Sequence, residues 1–552
     1  MIAPNTDIYL LKLPIEIDET NQLIFVSPND QKNYFQNLSK LELENATYQR
    51  KDNVLRYPTD DITFDELLGY NYCMYRNTNY SDKWFYAFIK NMRYINDGMS
   101  EIELETDVWQ TWGFQINYKK CFIEREHVSN DTFGLHTVPE NLETGEYMYQ
   151  PTIGYDSNST WNSLVKNTRV VFAMTDNGLT FATQPGNRKY NGIFSGLQYY
   201  VMKSEEYAVN YIQALQHTAG GVIDGLYAIF LAPDDLLGIN SSTTWTETSA
   251  QGYNLSFLEL PFSDQYKYMA NCFITDQRKC GLNYKPKNNK VLCYPYRYIT
   301  VSNNAGQTNQ YRYEYFGENN AKNNYYCGFG VDGAVSIGCS IKLYPLHYNN
   351  PEVVIEGTYG HNYLEGLDCY KLPTCSWVTD PFLNWVSQNA VNLVGGTAAS
   401  VASIGVGVAL SAANPILGLG LVGTGAMNIA ETLKSGFEKS LEPMTAHGGQ
   451  NQGDLNFATR RSFTPYCMSI RDEYAKIIDD YFTMFGYKVN SLKNVELHSR
   501  RNWNYIKTID CNFVGDIPQQ DLQKIRSMFN NGVTFWHNPN TFLDYSQPNY
   551  IV

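Results

Sequence analysis

Between Asp380 and Glu431 the chain carries no charged residue and no histidine, and its centre reads VNLVGGTAASVASIGVGVALSAANPILGLGLVGTG (391–425). Ten large aliphatics lie in the middle of it: Val401, Ile404, Val406, Val408, Leu410, Ile416, Leu417, Leu419, Leu421 and Val422. Burying one such side chain is worth roughly 1.5–3 kcal/mol, so the ten together gain on the order of 15–30 kcal/mol by leaving water. A whole domain has a net stability of only about 5–15 kcal/mol. The stretch must therefore be covered at all times. Asn414-Pro415 is a turn signal that divides it. The limb before the turn, 393–413, has about twenty residues, the length that spans hydrocarbon as a helix, and the limb after it is shorter. A helical hairpin is the expectation. Gly, Ala and Ser fill the other positions and let backbones approach closely. Three readings follow: core helices of a large soluble domain, an ordinary membrane anchor, or a conditional insert stowed in an assembly and later released into a bilayer. The anchor fits poorly, because no Lys/Arg cluster flanks either end.

The rest of the chain is polar and aromatic. Lys plus Arg number 42 against 56 Asp plus Glu, a net charge of −14. That balance argues against a protein that grips nucleic acid through phosphate contacts, which need clustered basic residues. It leaves open an acidic wall past which DNA slides. The 44 Tyr favour strands and half-wet interfaces, as in a β-rich assembly subunit. Eleven Cys without a CxxC pair predict scattered, reduced, mostly buried thiols rather than a disulfide framework or zinc site. The opening MIAPNTDIYLLKLP has no basic n-region and no continuous apolar run, so it does not read as a signal peptide.

Local patterns give the elements. Segments 7–17 and 22–27 read as strands, and 29–43 as a helix after Ser27-Pro28. Thr63 and Glu66 have capping-box spacing before a short helix. Segments 83–97 and 101–112 alternate with a period near 2 and read as strands. The Asn-, Gly- and Tyr-rich middle, 131–375, reads as inserted β structure. Ser469 is placed as the cap of a helix through Phe485, presenting Ile470, Tyr474, Ile477, Ile478, Tyr481, Phe482 and Phe485, with Gly486 at its exit. A strand at 505–515, a helix from Pro518 to Gly532 and a final strand VTFWHNP follow.

Tests for chemistry find no catalytic, metal-binding or cofactor-binding set. GxGxxG occurs at Gly328, Gly330 and Gly333, where strand-like sequence follows, so a turn or bulge is expected. It recurs at Gly418, Gly420 and Gly423, inside the uncharged stretch. His127, flanked by Glu124, Arg125 and Glu126, is a candidate acid–base residue, set against a surface or strand-edge histidine in an ion-pair cluster. No cofactor is implied.

Ordered motifs flank the apolar stretch. KWFYAF (83–88), DVWQTW (107–112) and FIEREHV (122–128) precede it, and GYKVN (486–490), Asn504-Tyr505, Asp510-Cys511, GDI (515–517), DLQ (521–523), NGVT (531–534) and Trp536-His537 follow it. Together they resemble the tail-knob, or distal tail-tube, proteins of φ29-like short-tailed bacteriophages. The resemblance implies an α+β, β-rich fold: a tube-forming domain built from N- and C-terminal blocks, with inserted β domains and a long apolar loop or helical hairpin. The implied division is a tube wall in two parts (1–130 and 451–552), an inserted β-rich region (131–375) and a membrane-active loop (376–450). The implied assembly is a homohexamer at the distal end of the virion tail, joined to the proximal tube or collar and the distal tip, and conducting genomic DNA without sequence-specific binding. The loops plug the lumen and on ejection enter the host cytoplasmic membrane as a pore, with no enzymatic activity and with synthesis in the host cytoplasm. The alternative reading is a structural tube or adhesin subunit whose apolar segment is a permanent plug or core element.

Overall fold

A computed structural model describes residues 5–46, 53–59, 62–79, 82–151, 167–175, 189–190, 193–194, 197–218, 222–260, 267–274, 283–316, 318–319, 324–325, 327–333, 341–351, 365–369, 372, 374–379, 438–439, 442, 445–447 and 463–552. The chain divides into two compact units. One comprises residues 1–146, 283–296 and 470–552, and the other 147–282 and 297–469.

The first unit is built jointly by both ends of the sequence. Six antiparallel strands run in the order Lys40–Ala46, Thr6–Leu11, Tyr72–Asn77, Trp84–Asn96, Met99–Thr106, Val54–Pro58. A second sheet of five strands is ordered Asn21–Leu23, Val533–Trp536, Trp503–Asp510, Cys121–Glu126, Tyr487–Lys493, its first pair parallel and the rest antiparallel. One apolar core joins them, drawing Ile8, Leu10 and Ile102 from the first sheet and Ile123, Ile506 and Phe535 from the second. The helix Gln519–Asn531 contributes Ile525 and Phe529 to the same core.

Several local readings fail where tertiary pairing overrides them. The helix after Ser27 stops at Gln36, and Lys40–Ala46, read as its second half, is a strand whose Leu41 and Leu43 pair with Leu10 and Ile8. The strand read over 101–112 ends at Thr106. Asp107 then caps a short helix, Val108–Trp112, its carboxylate accepting from the Gln110 N–H at 3.0 Å. Ser469 does not cap the later helix. It and Ile470 end the strand Thr464–Ile470, and the helix runs Asp472–Phe485 with Arg471 at its N-cap. Its buried face holds Ala475, Ile478, Asp479 and Phe482, while Ile477 is exposed. Other readings hold. Thr63 and Glu66 form a reciprocal capping box, and the helix beginning after Pro518 ends at Gly532.

The second unit holds a six-stranded antiparallel sheet ordered Thr246–Ala250, Tyr253–Glu259, Gln198–Met202, Thr168–Met174, Leu226–Pro233, Thr374–Cys375. The amphipathic helix Glu205–His217 lays Ala208, Tyr211, Ala214 and Leu215 on it, against Phe172, Tyr200, Phe257 and Trp377. A four-stranded sheet contains Cys327–Gly333, so the first GxGxxG is a regular strand paired on both sides rather than a turn, and the bulge falls on its neighbour between Tyr268 and Ala270. Gly330 is small for packing: a Cβ there would lie 2.6 Å from the Tyr344 ring. The second GxGxxG lies outside the described residues. Cys73, Cys121, Cys293, Cys327, Cys369, Cys375, Cys467 and Cys511 are free thiols, and all but Cys375 are buried.

Candidate functional site

The ten aliphatics from Val401 to Val422 lie outside the described residues, but the two places where the chain enters and leaves their segment do not. Trp377–Thr379 pairs antiparallel with Thr445–His447 in the register Trp377 to His447, Val378 to Ala446 and Thr379 to Thr445. Residues 380–444 are thus an excursion that leaves from and returns to one spot, with its feet a single strand spacing apart, about 4.8 Å.

This stem is fastened to the six-stranded sheet from one side. Just before it, Cys375 pairs with Ile229 and Thr374 with Phe230 at the sheet edge. Trp377 is buried in the helix–sheet core, Val378 faces out and Thr379 is buried again, a half-buried strand by its alternation. On the helix Glu205–His217, Gln216 donates from Nε2 to the Val378 carbonyl at 2.8 Å. On the returning strand the exposed His447 stacks on Trp377 with ring centroids 5.9 Å apart, and its Nε2 lies 2.7 Å from Thr379 Oγ1. The grip on the outgoing strand is therefore a core residue and a helix, whereas the returning strand is held by a ladder of three pairs, one ring contact and one side-chain hydrogen bond. Trp377-Val378-Thr379 carries a weak strand signal in its sequence; its partner 68 positions away carries none.

His127 resolves as a structural residue. It is buried and forms no ion pair among the described residues. Nδ1 accepts from the Tyr505 N–H at 2.7 Å, so Nε2 carries the proton and donates to the Thr483 carbonyl at 3.1 Å. Burial, reinforced by the nearby Arg500 guanidinium, pushes its pKa down to about 3. The charges beside it in sequence pair elsewhere: Glu126 with Lys493, Glu124 with Lys507, Arg125 with Glu140. A neutral imidazole with both nitrogens committed to backbone has no free position for acid–base work. No cluster of metal-ligating side chains occurs among the described residues.

Against this frame the sequence finds its relatives. Residues 261–550, more than half of the chain, match the family described as Bacillus phage phi29 tail knob protein gp9, C-terminal domain. The chain belongs to this tail knob family. Residues 4–118 also match the N-terminus of the Caudoviral major tail protein. The tail knob protein gp9 of Bacillus phage PZA is 25% identical over 586 residues, covering 96% of each chain, and that of Bacillus phage phi29 is 24% identical over 594 residues with the same coverage. The fold is shared with the tail knob protein gp12 of bacteriophage C1, at a TM-score of 0.64 over 99% of this chain and 100% of that one, with 15% sequence identity. As a tail knob family member, the chain is a structural protein of the phage virion and its place is the tail.

Proposed function

We propose that the chain forms a homohexameric, DNA-conducting tube at the distal end of the tail, plugged by the apolar segments and opened during ejection. On ejection the segments leave the lumen and enter the host cytoplasmic membrane as a pore for the genome. The observation that carries this reading is a charge-free run of fifty residues, 381–430, carried on an excursion with closed feet. A run that must be covered finds cover from its copies in a lumen, and later from lipid. The two covered states are the two ends of a switch. Six segments delivered together act at high effective concentration. The net charge of −14 suits a conduit that does not hold DNA phosphates. Lateral association has apolar material to use: Phe122, Leu492 and Ile509 stand exposed on three adjoining strands of the first unit. No helix among the described residues is long and apolar enough to cross a membrane; the membrane role is assigned to the loop 376–450 on its charge-free run.

The test is dye release from liposomes by the purified full chain. Wild type releases dye, and Val406→Asp or Leu419→Asp abolishes release without loss of assembly. Intact vesicles with wild type would overturn the pore. Electron micrographs of the same sample show six-fold rings with blocked centres; another symmetry overturns the hexamer. Replacing 380–444 by a two-residue turn leaves an assembled ring with an open centre, while aggregation of that variant would make the segment a core element instead.

A further inference from the structure

In the first unit a cavity of about 540 Å³ opens between the segment 285–288, the helix Asp472–Phe485 and the strap 546–551. Its wall includes Arg500, Lys285 and Lys287, with Asp131 as the one carboxylate among the lining residues. We propose that this cavity binds a small phosphate-bearing ligand, seated on the Arg500 guanidinium.

Arg500 is the reason. It is 9% exposed, no carboxylate among the described residues lies within ion-pair distance, and its buried Nε–H meets no acceptor among them. Its one side-chain hydrogen bond among the described residues is a long 3.5 Å approach of Nη1 to the Asn549 carbonyl. A buried cation normally has a partner, because desolvation without one costs several kcal/mol. A guanidinium presents its donors as a planar fork that matches two oxygens of a phosphate.

The nearby groups do not serve as that partner. The Asp131 carboxylate supports the Arg500 charge only from beyond ion-pair distance, its own oxygens accepting from the Tyr487 hydroxyl at 2.7 Å and the Asn289 N–H at 2.9 Å. His127 is neutral and fully engaged. At the mouth, Lys285 is exposed and Lys287 pairs at 3.2 Å with the exposed Asp480, a contact an arriving anion can exchange. The site is also preformed. Asn549 anchors the strap by accepting from the N–H groups of Asn502 and Trp503 and donating to the Trp503 carbonyl, and Ile551 bridges back to Arg500. The cavity volume lies in the range of ordinary small-ligand sites, about 300–1,000 Å³, and admits a phosphate ester larger than the bare ion.

The test is calorimetric titration of the purified full chain in phosphate-free buffer at constant ionic strength, with inorganic phosphate, glycerol 3-phosphate and acetate as separate titrants. Saturable binding of phosphate and glycerol 3-phosphate, much weaker for acetate, is expected. Arg500→Gln weakens it roughly tenfold to a hundredfold, as loss of a hydrogen-bonded charge partner does, and Lys285→Gln by about twofold to fivefold. Because Arg500 is buried, the exposed Lys285→Gln variant, with unchanged circular dichroism, keeps the test valid if Arg500→Gln misfolds. No saturable phosphate binding, acetate binding as tight as phosphate, or affinity unchanged in Lys285→Gln and in every folded Arg500 variant overturns the proposal. The liposome and ring experiments are independent of this outcome.

Discussion

Two places where long stretches of chain are tied off show opposite construction. In the first unit, the returning segment 283–296 is tied by buried polar groups. Asp479 accepts from the Lys287 and Asn288 N–H groups at 2.7 and 2.9 Å, from Asn288 Nδ2 at 2.8 Å and from the Tyr284 hydroxyl at 2.6 Å. Beside it, the fully buried Glu140 bridges Arg125 and Lys290 and accepts from the Lys488 N–H at 2.9 Å. The stem of the apolar segment, in the second unit, has three residue pairs and an exposed returning strand. The first closure cannot be opened without stranding charge in a low-dielectric interior. The second can be unzipped at small cost. That is the distribution expected of a body that stays intact while one segment changes its surroundings.

The largest effect that would break this contrast is at Glu140. Glu140→Gln leaves Arg125 and Lys290 buried without the one carboxylate they share among the described residues, and the expected loss is about 3–5 kcal/mol in denaturant unfolding. A loss below about 1 kcal/mol would remove the distinction between the two closures. Acid is the next lever. His127 and His537, pushed down to about 3 and about 4 chiefly by burial, stay neutral in the folded protein but protonate near 6.5 when unfolded. The unfolded state then binds more protons, so stability is full above pH 6.5 and falls as pH drops toward 4. Asp107 runs the other way: burial raises its carboxyl to about 6, so stability is regained as pH falls through 6. For these three groups the balance is a loss of about 4 kcal/mol between pH 7 and pH 4; burial also lowers His136 and His498, which adds to the loss, and raises Glu126 and Asp131, which offsets it. Urea midpoints measured across that range check it, and His537→Gln flattens the slope. The smallest effect sharpens the comparison from the other side. His447→Ala removes one ring contact and one side-chain hydrogen bond at an exposed position, worth about 1 kcal/mol, while lowering the wild-type threshold for liposome dye release.

What could be read in advance follows from how far apart the interacting residues are. Thr63 and Glu66 satisfy each other within one turn, and Pro518 and Gly532 mark a helix by their own backbone preferences; such signals are local and survive in the sequence. Lys40–Ala46 became a strand because Thr6–Leu11 offered a partner, which no window of sequence contains. His127 reads as a charged surface residue from its neighbours, yet it is held by the backbone of Thr483 and Tyr505, more than 350 positions away. The pairing at the foot of the apolar segment and the isolation of Arg500 are illegible for the same reason. The ten aliphatics were legible as a burden to be covered, because apolar area needs no partner to be counted.

The interleaving of the five-stranded sheet sets a timetable for synthesis. Cys121–Glu126 lies between two strands that begin at Tyr487 and Trp503. Trp112 waits for Asp521, 409 positions later, to accept its indole N–H. A ribosome that has finished the charge-free run has made neither neighbour of that strand. For about 4–16 seconds, at about 5–20 residues per second, the nascent chain carries two open sheet edges and a sticky apolar segment together. The order of translation, rather than the finished architecture, is where this protein is most exposed to aggregation.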